Sequence, residues 1–407
     1  MKPVLSTGHT ARSPYRLLVL ALACQASISI VQWGLGVIAP DLQSRYGLSA
    51  AGLGALVNAT ALGNAFALIV AGVIVDRSGP RIPLLFAGSA SGLLLIGGSL
   101  LTNPVGLGLA LFASGVAGAV VAVGATVSVF YGFPPERRGF AIGMRQMSVA
   151  LGGLLAALLL PLAVHLSGVR LALALSGALT AITAIVFALD TPHGPLVPPT
   201  AARRVIAPFE VLKEPGMPRL LVVALCYIVA LTTVLTFGVP ALRDGGGSRG
   251  DGSLLFAFVS ISAMTARIGW GRLADFGGGR RRVSTLRDIG VLACGAAVLT
   301  WVLWPEGTAI RIAALVVLSL GALGFNGVLY VIAGEIAGAA RAGQAVALMS
   351  TALFGGGALA AVPLGALADA HGYRSLWIAT AVAAGLGVLV TLRLQPVPHR
   401  EPLAHSD

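Results

Sequence analysis

A succession of long apolar runs constrains this chain more than any other feature. Each run is about 20 residues, enough for a helix to cross a hydrocarbon core of roughly 30 Å. Twelve such runs can be drawn: 16–39, 50–74, 82–102, 105–131, 139–164, 169–189, 219–242, 253–273, 288–304, 309–333, 343–367 and 374–394. Pro40, Gly79-Pro80, Pro104, Pro134-Pro135 and Pro305 punctuate the joints. Backbone N–H and C=O groups find no water in lipid, so a spanning segment must be a helix or part of a closed barrel. The alternation of a barrel strand is absent, which leaves helices. Composition agrees: 57% of residues are hydrophobic, only 10% are charged, and mean hydropathy is +0.91. A soluble chain carries about 25% charged residues. The 54 glycines suit close helix packing in a membrane.

Several function classes fall away. The net charge of +12 does not indicate nucleic acid, because the arginines sit in short clusters between apolar runs and form no basic domain with interleaved aromatics. There is no H-E-x-x-H, no phosphate-binding G-x-x-x-x-G-K-[ST] and no nucleotide domain, so neither an enzyme nor an ATP-driven pump is expected. Cys24, Cys226 and Cys294 each lie inside an apolar run and read as small buried hydrophobes. No cofactor and no metal are expected. Lys2, Arg12 and Arg16 precede the first run, which continues past Cys24 towards Ile38 and reads as an uncleaved span.

Most arginines and lysines fall on the side of the termini when twelve spans are threaded. The other side holds Arg45, Arg170, Arg243, Arg249, Arg311 and Arg374. Positive charge marks the cytoplasmic side, so both termini are expected there. Between spans six and seven, Pro192, Pro195, Pro198, Pro199, Pro208 and Pro215 mix with Arg203, Arg204, Glu210, Lys213 and Glu214. This reads as a solvated linker, with one short amphipathic turn at 208–214. The expected organisation is a six-helix bundle at 1–189, a cytoplasmic linker at 190–218, and a second bundle with a short tail at 219–407.

A repeated motif supports two similar halves. GVIVDRSGPR contains Gly72, Asp76, Arg77, Gly79 and Arg81; GRLADFGGGR, half a chain later, contains Gly271, Asp275, Gly278 and Arg280. The first glycine admits a neighbouring backbone, the second supplies the turn, and the acid suits a neighbouring helix N-terminus. RRGFAIG from Arg137 likewise matches RAGQAVA from Arg341. GALADAHGYR, Gly365 to Arg374, has the same spacing, but the threading puts it on the outer side, and it reads as turn chemistry.

These residues resemble the major facilitator superfamily of secondary transporters. The two D-x-x-G loops look like that family's connectors between spans two and three and between spans eight and nine, and RRGFAIGMRQ looks like its opening of span five. The resemblance implies an all-α membrane protein of twelve helices in two pseudo-symmetric six-helix bundles, with alternating access by rocking of the halves. It also implies gating by Gly72, Asp76, Arg77, Gly79, Arg81, Gly271, Asp275 and Arg280. Asp76 is expected at the start of span eleven near Gly343, and Asp275 at the start of span five near Gly139. Spans one, four, seven and ten line the family's cavity, which carries over to Gln25, Gln32, Trp33, Tyr227, Thr233, Asn326 and Tyr330; Asn58 and Asn64 either line it or bond helix to helix.

An ion inside a span is costly and needs a reason. Arg145 in span five and Arg267 in span eight are expected at similar depth, facing the path and holding an anion between the halves. Guanidinium suits a carboxylate through two parallel hydrogen bonds. The context of Arg267 also resembles monocarboxylate and oxalate–formate transporters of the superfamily. No Asp or Glu lies mid-span; Glu335, near the end of span ten, either serves coupling or pairs with Arg341. The partners expected are lipid, a small-molecule substrate of anionic character and, left open, protons. The chain is expected as a monomer in a bacterial-type inner membrane. Efflux of hydrophobic compounds by proton antiport is the alternative, weakened because span four lacks an arginine and span five carries Pro161 in place of a glycine-proline-glycine-glycine signature.

Overall fold

The computed structural model describes residues 13–133, 138–192, 210–275, 278–338 and 341–395, with the side chains of Asp76, Gln146, Asp275 and Arg280 among the few left outside that description. Ten helices among the described residues are long and apolar enough to cross a membrane. One of these, ending at Asp190, runs through Ser167 and Gly168, whose backbone is not helical, and so makes two spans. Ser375–Thr391 is a shorter apolar helix and completes twelve.

In chain order the spans are α1 (Pro14–Gly34), α2 (Ala50–Ser78), α3 (Arg81–Ser99), α4 (Pro104–Gly132), α5 (138–166) and α6 (169–190). The second set is α7 (Met217–Thr232, continued through a π turn at Thr233–Phe237 and Gly238–Asp244), α8 (Arg249–Asp275), α9 (Gly278–Leu303), α10 (Thr308–Ala322 and, after a break, Phe325–Ala337), α11 (Ala342–His371) and α12 (Ser375–Thr391). A turn at 35–38 leads from α1 into a short helix, Ala39–Tyr46, which carries the chain past Pro40. Pro40 lies in the first turn of that helix, where its missing N–H costs nothing.

The halves repeat their packing. α1 lies on α5, α2 on α4, and α3 on α4 and α6; six helices later α7 lies on α11, α8 on α10, and α9 on α10 and α12. Each half has its own apolar cores, around Ile30, Leu53 and Leu111 in the first and around Leu220, Leu286 and Leu329 in the second. The halves meet through α2 against α11 and α5 against α8, again a symmetric pair of contacts. Large apolar side chains such as Phe66, Phe86, Leu159, Ile261 and Leu386 are exposed around the outside, as lipid-facing surfaces require.

Both ends of the twelve-span path lie on one face, the terminal face. There Arg16 pairs with Asp190 at 3.1 Å. Most of the expected linker, 193–209, lies outside the described residues. Its end forms a 3-10 turn, Glu210–Lys213, anchored by the fully buried Val211 in the second half. Glu214 pairs with Arg341, and Glu335 pairs with Arg282, so the expected Glu335–Arg341 pair is not the one formed. The break between α10 and α11 turns Arg341 towards the linker, while α9 brings Arg282 to Glu335.

Candidate functional site

Arg267 of α8 stands at the seam between the halves. Its guanidinium carbon lies 5.2 Å from the ring centre of Trp33 on α1. Its Nε donates to the Leu323 carbonyl at a long 3.4 Å. Leu323 and Gly324 separate the two helices of α10, and a break inside a membrane leaves backbone carbonyls that need donors. Side chains of α8 supply them: besides Arg267, Trp270 donates from Nε1 to the Leu320 carbonyl at 3.0 Å. A Cβ on Gly324 would sit 2.5 Å from Trp270, so the break needs glycine for the indole to pass.

Two further expected residues join this group. Tyr330 lies close enough for the Arg267 charge to act on its hydroxyl, which accepts a hydrogen bond from Ser350 at 3.3 Å. Asn326 begins the second helix of α10, and its buried Oδ1 has no hydrogen-bond partner among the described residues. The result is a partly buried cation over an aromatic face, with the Tyr330 phenol close by. A cation over an aromatic ring gains about 0.5–2 kcal/mol, more as water is removed. Among the described residues no carboxylate pairs with Arg267, so its charge is balanced only by the indole face and one carbonyl.

Arg145 is placed differently. It is 6% exposed, and its Nη2 donates to Gln25 Oε1 on α1 and to the Ala122 carbonyl on α4, both at 2.8 Å. Gln25 in turn donates to Ser29 at 3.3 Å. The two arginines were expected to face one another across an anion; Arg145 here bonds Gln25 and Ala122 of the first half, whereas Arg267 meets Trp33 and Leu323. The reason is local. A guanidinium at this burial needs fixed acceptors, and the neighbouring α1 and α4 provide them.

The remaining expected lining residues separate in the same way. Gln32 borders a small cavity inside the first bundle, with Asn64. Tyr227 is 2% exposed and donates to the Leu286 carbonyl at 3.2 Å, inside the second bundle. Thr233 is fully buried against Thr380 at 3.1 Å. Hydropathy could not separate these, because each is a polar residue within an apolar run.

The face opposite the termini is closed by contacts between the halves. Asp369 of α11 accepts the N–H groups of Ala50 and Ala51, in the first turn of α2, at 2.7 and 3.0 Å. Asp41 pairs with Arg249 at 2.5 Å. Asn58 donates to Thr236 at 3.0 Å, and Gln43 donates to the hydroxyl of Tyr373 at 3.3 Å. Burial pushes the Tyr373 phenol above its ordinary range. An apolar cluster of Ala50, Phe237, Leu364, Ala368 and Leu376 lies beneath.

This latch uses the third copy of the motif, which sequence reasoning set aside. A Cβ on Gly365 would lie 2.5 Å from Ala51 Cα, so only glycine lets α11 meet α2 this closely. Arg374 of the same copy stacks on Trp301 at 4.8 Å. On the terminal face the side chains of Asp76, Asp275 and Arg280 lie outside the described residues. No described atom comes within 4 Å of a Cβ placed on Gly72 or Gly271. Gly79 adopts φ 73°, which favours glycine, Arg77 is exposed and Arg81 is partly buried.

Comparison with known proteins follows the same lines. The family profile of the Major Facilitator Superfamily matches residues 21–361. An uncharacterised MFS-type transporter of Mycobacterium tuberculosis is 24% identical over 402 residues, covering 96% of this chain and 87% of the relative. Among solved structures, the nucleoside transporter NupG aligns with a TM-score of 0.74 at 16% identity, covering 93% of this chain and 99% of that one. A bacterial homologue of the human lysosomal transporter Spinster, in an inward-facing and unoccupied conformation, aligns with a TM-score of 0.75 at 17% identity, covering 95% and 98%. The doubled six-helix packing, the D-x-x-G connectors and a family match over most of the length lead to one conclusion: this chain belongs to the major facilitator superfamily of membrane transporters, which carry small molecules and are not enzymes.

Proposed function

We propose that this transporter carries a small organic anion, a carboxylate, by alternating access, with Arg267 as the residue that receives it. One observation carries the reading: a half-buried guanidinium at the seam of the two halves, stacked on Trp33 and with no carboxylate partner among the described residues. An intramembrane cation without a counter-charge costs several kcal/mol on most scales, roughly 2.5–3.5 by insertion measurements. A substrate carboxylate offsets that cost when it binds, and its departure restores it, which suits a carrier. Asn326 and Tyr330 supply neutral hydrogen bonds beside the charge. Arg145 holds α1, α4 and α5 together and is assigned a supporting part.

With the termini in the cytoplasm of a bacterial inner membrane, the conformation described is closed towards the outside. The Asp369–α2 latch then keeps the outer gate shut, and Asp76 and Asp275 hold the inner gate in the opposite state. The test is substrate-dependent thermal stabilisation of purified protein against a panel of small carboxylates and a panel of cationic dyes. Wild type is expected to respond to a carboxylate, and Arg267→Ala to lose that response while keeping its unliganded melting temperature. Stabilisation by dyes alone, or an unchanged response in Arg267→Ala, refutes the reading.

A further inference from the structure

Inside the first bundle, away from the seam, polar side chains from five helices surround one cavity: Gln32 on α1, Thr60 and Asn64 on α2, Ser91 on α3, Ser114 on α4 and Thr180 on α6. Ser91 and Ser114 bond each other at 2.9 Å. Each of the other four has a polar atom without a partner among the described residues. Gln32 Nε2, Thr60 Oγ1, Asn64 Oδ1 and Thr180 Oγ1 are all buried without a hydrogen bond. Thr60, Asn64 and Thr180 are 4%, 5% and 0% exposed.

Buried hydroxyls elsewhere among the described residues are mostly partnered, Thr285 and Thr351 being exceptions. Ser128, Thr300 and Thr391 satisfy their hydroxyls on the carbonyl one turn back, the ordinary refuge for such a group in a helix. Thr60 and Thr180 do not use it, and both residues line the cavity. Four orphan polar atoms meeting in one place require an occupant, because buried polar groups without partners are rare in folded proteins.

Size and chemistry identify the occupant. The cavity offers ≈ 20 Å³ to the centre of a water molecule, and about 10–15 Å³ of such space is enough to hold one. The set contains a donor, Gln32 Nε2, an acceptor, Asn64 Oδ1, and two hydroxyls that can do either. A water accepts from the first, donates to the second and fills its remaining positions with the threonines. No ionisable group lines the cavity, and its unpartnered atoms include the amide nitrogen of Gln32, which disfavours a metal cation. We propose that the first bundle contains an internal hydration site in which a bound water joins Gln32 to Thr60, Asn64 and Thr180. Such a water ties α1 to α2 and α6 one residue from Trp33, and so fixes the aromatic platform under Arg267 without a direct bond.

Synchrotron hydroxyl-radical labelling of the full-length protein in lipid nanodiscs tests this, since radicals form on water beside the residue they mark. Ile28, Val31 and Leu95 border the cavity and are buried. They are expected to label several-fold more than Leu53 and Leu111, which are buried in the same core as Val31 and Leu95 but do not border the cavity. Thr180→Val, which keeps shape and removes one anchor, is expected to reduce that label, and Asn64→Leu to abolish it. Label on Ile28, Val31 and Leu95 no higher than on Leu53 in wild type overturns the proposal. So does a melting temperature that rises with sodium in place of choline and loses that rise in Thr180→Val, because the occupant would then be a cation.

Discussion

The carboxylate of Asp369, near the end of α11, accepts the backbone N–H of Ala50, at the start of α2 in the other half, at 2.7 Å. Its second oxygen takes the N–H of Ala51 at 3.0 Å. The first N–H groups of a helix have no partner within it, and the helix dipole favours negative charge there. An acid on one half therefore completes a helix on the other, and only while this face is closed.

Asp369→Asn is expected to weaken that closure without unfolding the protein. A carboxylate at an exposed helix start contributes up to about 1 kcal/mol, and Asp369 is exposed. One kcal/mol shifts a two-state equilibrium roughly fivefold. Spin labels placed on the Ala39–Tyr46 helix and at the start of α8 should show a larger long-distance population in Asp369→Asn. An unchanged distance distribution would mean that the contact follows closure and does not stabilise it.

Gly365→Leu tests the same interface by shape. The new side chain would begin 2.5 Å from Ala51 Cα and cannot be relieved by a rotamer change, because backbone lies on the other side. The two helices must separate, so this face stays open and transport stops. Alkylation of a cysteine placed at Asn58 from the side opposite the termini should rise strongly in Gly365→Leu. Continued transport at the wild-type rate would show that α2 and α11 need not meet.

Trp33 is expected to act on affinity. Its ring carries Arg267 at 5.2 Å, and a cation–π contact of this kind is worth about 0.5–2 kcal/mol. Trp33→Ala should raise the apparent KM for uptake into proteoliposomes by roughly 2- to 30-fold, the rate factor matching that energy range. Trp33→Phe, which keeps an aromatic face, should fall between. An equal loss in both variants would point to packing of α1 against the second half as the ring's main part.

How much of this was legible follows from what each feature depends on. The spans, their joints at glycine and proline and the doubled architecture are written in residue type, because lipid leaves the backbone few options. The split of α10 at Leu323–Gly324 was not, since no proline interrupts its run, and the packing of Trp270 on Gly324 is what marks it. Gly365 and Asp369 had the motif spacing in plain view. Their role was missed because which gate is latched is a property of a conformation, and the sequence contains both. Arg145 and Arg267 look equivalent by depth and hydropathy. What separates them is the direction each side chain takes: Arg145 meets Gln25, and Arg267 meets Trp33.

That difference in direction makes the two arginines separable by stability. Removing Arg145 leaves Gln25 Oε1 buried without its 2.8 Å donor. The Ala122 carbonyl suffers less, since the Thr126 hydroxyl also donates to it at 2.7 Å. An unsatisfied buried acceptor costs about 1–3 kcal/mol, whereas replacing both partners with apolar groups of similar shape is nearly neutral. Arg145→Met should therefore lower the unliganded melting temperature clearly, and Gln25→Met with Arg145→Met should recover most of the loss. Arg267→Ala should leave the unliganded temperature close to wild type and remove the rise with substrate. If Arg145→Met instead kept its melting temperature and lost substrate response, Arg145 would belong to the binding site, and the anion would be shared between the two arginines after all.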